Sequence, residues 1–141
     1  MTRTVRTEEL SDGAFLVLRT DAAAEAVAGL TVVPYLGRWN SDRTTVTTGT
    51  TSFEPGGVLP LHTHNAEETV LVLSGEATAT IGDRRFAVGA GEAMWVPAGV
   101  VHGISNESTA ALTIYWTYGG RDVTRSLVAE GVTIEAVPPA R

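Results

Sequence analysis

The sequence predicts an all-β domain, a sandwich or a barrel, on two observations. β-Branched and aromatic residues gather in short runs, and from Thr44 onward Gly, Pro, Asn and Asp turn signals break those runs about every eight to twelve residues. Helical spacing, by contrast, is scarce.

One short helix is expected at residues 21–29, DAAAEAVAG, with Asp21 as N-cap and Gly29 just past its end. Residues 44–53, TTVTTGTTSF, read as a strand that stops at the breaker Glu54-Pro55-Gly56-Gly57. Residues 59–64, LPLHTH, read as the next strand, because Pro60 and the breaker before it disfavour a helix. The stretch 68–88, ETVLVLSGEATATIGDRRFAV, gives an apolar strand, a Ser74-Gly75 turn, an alternating strand, a Gly82-Asp83 turn and another strand. Next come GAGEAMWV (89–96), the turn PAG, VVHGI (100–104), the polar link SNEST and the strand AALTIYWTY (110–118). Alternation puts Leu112, Ile114, Trp116 and Tyr118 on one face of that last strand, and brings either Met94 or Trp95 inward on the strand before Pro97. Residues 121–131, RDVTRSLVAEG, fit a helix or a strand, and 137–141, VPPAR, read as a loose tail.

At 141 residues, 43% of them hydrophobic, the chain is read as a single domain over 1–141 with its own core. No apolar run approaches the roughly 18 residues that span a membrane, and the opening MTRTVRTEEL lacks a signal peptide's apolar stretch. There is no cysteine. That excludes disulfides, thiolate catalysis and cysteine-ligated metals, and it suits the cytoplasm. A net charge of −6 without a basic cluster argues against a nucleic-acid groove. All ten basic residues are arginine, so lysine Schiff-base chemistry is excluded too. What remains for chemistry is three histidines, sixteen carboxylates, three tyrosines, arginines and hydroxyls.

Two of the three histidines, His62 and His64, stand two residues apart. On a strand that spacing puts both side chains on one face, close enough to share a metal at about 2.1 Å. Glu68 has the same parity and Glu67 does not, although Asn65-Ala66 could bend the strand and change its face. An exposed histidine pair on a sheet edge is the competing reading. For His102, within VVHGI, the competing reading is a core histidine.

Spacing around these residues resembles the two motifs of the cupin superfamily. The first runs Gly56, five residues, His62-Thr63-His64, three residues, Glu68, six residues, Gly75; the second runs Gly91, five residues, Pro97-Ala98-Gly99, two residues, His102, three residues, Asn106. The resemblance implies a small single-domain cupin, a double-stranded β-helix or jelly-roll barrel with its conserved core at about 44–118. It also implies His62, His64, Glu68 and His102 as ligands of one divalent first-row transition metal per chain (Fe, Mn, Ni, Co or Zn), and so selects Glu68 over Glu67. Trp116 and Tyr118 are candidates to line the pocket, and Arg38 and Arg43 to hold an anionic substrate.

Three neutral imidazoles and one carboxylate leave a divalent ion with a net charge near +1 and, in six-coordinate geometry, two open positions. Three functions are compatible. One is a metal-dependent oxygenase acting on a small oxygen-rich molecule, the reading most in keeping with small cupins of this ligand set. Another is a redox-neutral isomerase, lyase or polyketide-type cyclase. The third is a non-catalytic small-molecule binder or sensor. The expected partners are a small-molecule ligand and a second copy in a homodimer, because ETVLVL is apolar on both faces; neither nucleic acid nor membrane is expected.

Overall fold

The computed structural model describes residues 4–20, 24 and 26–137. Among them every regular element is a strand. The N-terminal region forms β1 (Val5–Glu9) and β2 (Phe15–Arg19), an antiparallel pair, and β3 (Leu30–Leu36). β4 (Thr47–Phe53) to β11 (Leu112–Tyr118) fall where the runs and turns place them: β5 (Val58–His64), β6 (Glu68–Ser74), β7 (Glu76–Ile81), β8 (Arg84–Gly89), β9 (Ala93–Val96) and β10 (His102–Ser105) lie between. β12 (Thr124–Leu127) and β13 (Val132–Glu135) complete the chain.

Two sheets make the barrel. One has the order β13-β12-β5-β10-β7-β8, the other β3-β4-β11-β6-β9. Strands distant in sequence become neighbours, as in a jelly roll. The inward side chains meet in one core: Val70, Val72, Ile114 and Trp116 from the second sheet, and Ala77, Ala79 and Ile104 from the first. Leu112, Ile114, Trp116 and Tyr118 do share the buried face of β11. Met94 is the inward residue of its pair, while Trp95 is 58% exposed.

Three expectations need correction or placing. The helix expected at 21–29 lies partly outside the described residues; within them, Val27 bridges Leu30 and the chain turns through Ala28 and Gly29, both at positive φ. The ambiguous segment 121–131 holds a short strand, β12, and no helix, because β5 and β13 complete the hydrogen bonds of 124–127 on either side. Of the expected tail, Val137 is buried in the core, and residues 138–141 lie outside the described residues. No described helix is long and apolar enough to cross a membrane.

Candidate metal centre

The site begins with an irregularity in β5. His102 of β10 pairs with His62, but Ile104 pairs with Leu59, so β5 carries one residue more than β10 between these pairs. That is a β-bulge. Pro60 and Leu61 both face outward in succession, and the alternation resumes with His62 and His64 pointing in. Strict alternation from Leu59, which packs against the core, would have turned both histidines to the outside. β10 adds His102 beside His62, and the opposite sheet supplies Glu68 at the first position of β6.

Each imidazole is oriented by a backbone carbonyl. The Nδ1–H of His62 donates to Pro60 O (2.7 Å), that of His64 to Thr124 O (2.9 Å) and that of His102 to Val100 O (2.9 Å). A carbonyl can only accept, so Nδ1 carries a proton in all three rings, and Nε2 is the atom that each ring turns inward. These nitrogens converge. His62 Nε2 and His64 Nε2 are 3.1 Å apart, His102 Nε2 is 2.8 Å from Glu68 Oε1, and His64 Nε2 is 3.4 Å from the same oxygen. All four ligand atoms lie within 4.8 Å of one another, and all four residues are buried.

The arrangement is electrostatically incomplete without a cation. With Nδ1 protonated on both rings, the facing Nε2 atoms of His62 and His64 repel unless a proton or a cation stands between them. Burial is the main reason that the His62 ring is held well below the usual histidine range, to about 3, with His102 adding to the effect. A proton on His62 is therefore a poor remedy. Burial pushes the Glu68 carboxyl up, but its contacts with His102 and His64 outweigh this and hold it at about 2, so it is an anion at neutral pH. Ligand atoms at about 2.1 Å from a common ion and at right angles lie about 3 Å apart, close to the 2.8–3.4 Å of the His62–His64, His102–Glu68 and His64–Glu68 pairs. The donor set, imidazole with a carboxylate, suits a divalent first-row ion.

Around this centre the structure places the other candidates unevenly. The Tyr118 ring lies 4.5 Å from that of His64, centroid to centroid. Burial, and then the charge of Glu68, push its phenol up, so it keeps its proton. Trp116 stacks on Tyr118 at 4.9 Å and donates its Nε1–H to Thr51 Oγ1 (2.9 Å); it backs the tyrosine, and the ring contacts of the three histidines do not include it. Glu67 is exposed beside Gly119, since residues 65–67 turn the chain before β6 begins. The parity argument therefore does not apply, because Glu68 is on a different strand from the histidines. Arg38 pairs with Asp122 and Glu135 at the surface, and Arg43 bonds the Asp12 carbonyl. The arginine that does reach the site is Arg125 of β12, directly opposite His64 in the sheet. A sequence signal existed for it: Arg125 shares parity with Val123 and Leu127, an arginine on the apolar side of an alternating run.

The two facing sheets and the inward histidine–glutamate cluster define a jelly-roll barrel with a buried constellation of metal-ligand type. A family model described as a cupin domain matches residues 49–118, and the chain is a member of the cupin superfamily. Solved structures of like fold include the oxalate decarboxylase of Lactobacillus farciminis in complex with formate, 18% identical with a TM-score of 0.71 over 81% of this chain and 36% of that one. An RmlC-like cupin from Shewanella frigidimarina is 18% identical, with a TM-score of 0.59 over 69% of this chain and 81% of that one. KdgF from Halomonas sp. is also 18% identical, with a TM-score of 0.59 over 72% and 90% of the respective chains. At these identities the likeness is one of fold, and this chain spans about a third of the oxalate decarboxylase. Comparison with curated proteins finds no match.

Proposed function

We propose that this chain is a mononuclear metalloenzyme that holds one divalent first-row ion on His62, His64, Glu68 and His102 and acts on a small oxygen-rich molecule, best read as an oxygenase. One observation carries the metal. Three Nε2 atoms and a carboxylate oxygen converge in a buried cluster, while each Nδ1–H is committed to a backbone carbonyl, which leaves Nε2 as the ligating atom of every ring. When bound, such an ion supplies Lewis acidity, lowers the pKa of bound water and can bind O₂.

The chain's own residues do the rest. Pro60, Val100 and Thr124 hold the imidazoles in the ligating tautomer through their carbonyls, which raises the basicity of Nε2. Burial excludes water from the ligand atoms and strengthens every charge interaction there. Tyr118, with its proton retained, can donate a hydrogen bond to a substrate oxygen beside His64. That phenol is also the observation that favours the second reading, a redox-neutral isomerase, lyase or cyclase, since it could return a proton to an enolate. The outward apolar side chains Leu73 and Trp95, with half-buried Leu71, support a homodimer through the second sheet.

The test begins with protein purified without added metal or a chelating tag. Its metal content is measured, and turnover of diketones, catechols, hydroxy-acids and uronates is followed with and without O₂. Product that requires oxygen supports the oxygenase. Undiminished product under anaerobic conditions overturns it in favour of the redox-neutral enzyme, and tight binding without turnover in either condition favours a binder.

A further inference from the structure

Arg125 is the one strongly charged side chain near the centre that the ligand set does not use. It stands opposite His64 in the β5–β12 pairing, and cross-strand partners project on the same side of a sheet. His64 points into the barrel, so Arg125 does as well. Its Nε is buried and has no hydrogen-bond partner among the described residues. Among the described residues no carboxylate forms an ion pair with it; Asp122 and Glu135, the acids flanking its hairpin, are both engaged by Arg38. The guanidinium donates a hydrogen bond to the Tyr118 hydroxyl, which is neutral and so is no counter-ion. A half-buried guanidinium without a partner anion is costly, and a divalent ion held a few ångströms away makes it costlier. A guanidinium also presents parallel N–H donors that match the two oxygens of a carboxylate.

We propose that Arg125 is the specificity residue of this site and binds the carboxylate of an anionic substrate, so that the substrate class is small organic acids whose carboxylate or adjacent oxygen reaches the centre. The inference rests on the metal reading given above. It narrows "oxygen-rich" to "carboxylate-bearing", since a neutral diketone or catechol would leave the guanidinium unpaired. An anion placed between Arg125 and the centre neutralises two cationic groups at once, which neither Tyr118 nor Glu68 can do.

The test is calorimetric titration of the Mn(II)-loaded full chain with two sets of probes, with metal stoichiometry measured on the same samples. The carboxylates are glycolate, malonate and oxalate, and the neutral chelators are the matching amides, glycolamide, malonamide and oxamide. Wild type should prefer the carboxylates. Arg125→Gln should weaken them by about tenfold or more while leaving the neutral chelators and the metal content unchanged, and Arg125→Lys should recover part of the loss. Circular dichroism and Tm identify a variant that fails to fold; should Arg125→Gln do so, the wild-type preference and Arg125→Lys still decide. Wild type that takes up Mn(II) but binds carboxylates no better than neutral chelators overturns the inference alone. Equal weakening of both probe sets assigns Arg125 a merely structural role and overturns it as well. Wild type that takes up no metal overturns the metal reading, and this inference with it.

Discussion

The tautomer of each histidine is the decisive feature at the scale of single residues. A backbone carbonyl at Nδ1 leaves no choice about which nitrogen faces inward, and a cluster that turns every Nε2 to one point could hold a metal ion. Replacing His62, His64, Glu68 or His102 by Ala should lower metal affinity by more than about tenfold, whereas Glu67→Ala should leave it unchanged, because that carboxylate is exposed. Metal analysis of the purified variants checks this, and equal loss from Glu67→Ala and Glu68→Ala would contradict it. The pH dependence follows from the same burial. Unfolded, His62 titrates near 6.5; folded, it is held to about 3, so between these values the unfolded chain binds a proton that the folded chain does not. Stability is therefore full above about pH 6.5 and declines as pH falls toward 3. Glu68, depressed from 4.5 to about 2, adds a loss of the same sign in that lower window. Metal-free protein should show this decline in Tm, and bound metal should steepen it, since protons compete for its ligands. A Tm that stays flat from pH 7 to pH 4 without metal would show that His62 is not held neutral.

Among the elements, β5 and β11 do most to build the site. The bulge at Pro60-Leu61 is the device that brings both histidines inward, and it is invisible to a strict two-residue period. In β11, Trp116 pairs with Gly49 of β4, and its indole lies across that glycine. A Cβ built at Gly49 would come within 2.5 Å of the indole and 2.6 Å of the Val33 carbonyl, so the position tolerates no side chain without displacing both. Gly49→Ala should destabilise the fold by about 1–3 kcal/mol through overpacking. It should also change the tryptophan fluorescence, because Trp116 stacks on Tyr118 next to the centre. Chemical denaturation with fluorescence readout measures both effects, and a variant as stable as wild type would show that the indole has room to move.

For the whole molecule, the outer face of the second sheet raises the question of assembly. β6 alternates buried Val70 and Val72 with outward Leu71 and Leu73, and Trp95 stands 58% exposed on the neighbouring strand. Covering such a surface with a second copy removes it from water. Light scattering should give about 30 kDa, twice the 14.8 kDa of the chain. Leu71→Glu with Trp95→Glu should return the protein to the single-chain mass without loss of metal. A wild type that scatters as about 15 kDa at micromolar concentration would rule the dimer out.

What the sequence determined by itself was local and periodic. Runs, turns and the inward face of β11 follow from alternation and from glycine, proline and polar punctuation, all of which act over a few residues. The motif spacing also placed Glu68 ahead of Glu67, where parity could not, since the two histidines and the glutamate belong to strands of different sheets. Tertiary structure alone decided the rest. β12 could have been helix until β5 and β13 took up its hydrogen bonds. His62 and His64 face inward because β10 pairs with β5 across a bulge, and Arg125 reaches the centre because β12 lies beside β5. Apart from the local β12–β13 hairpin, each of these depends on pairing of β5 with a segment some forty to sixty-five residues away, and long-range pairing leaves no periodic mark in the segments that it joins.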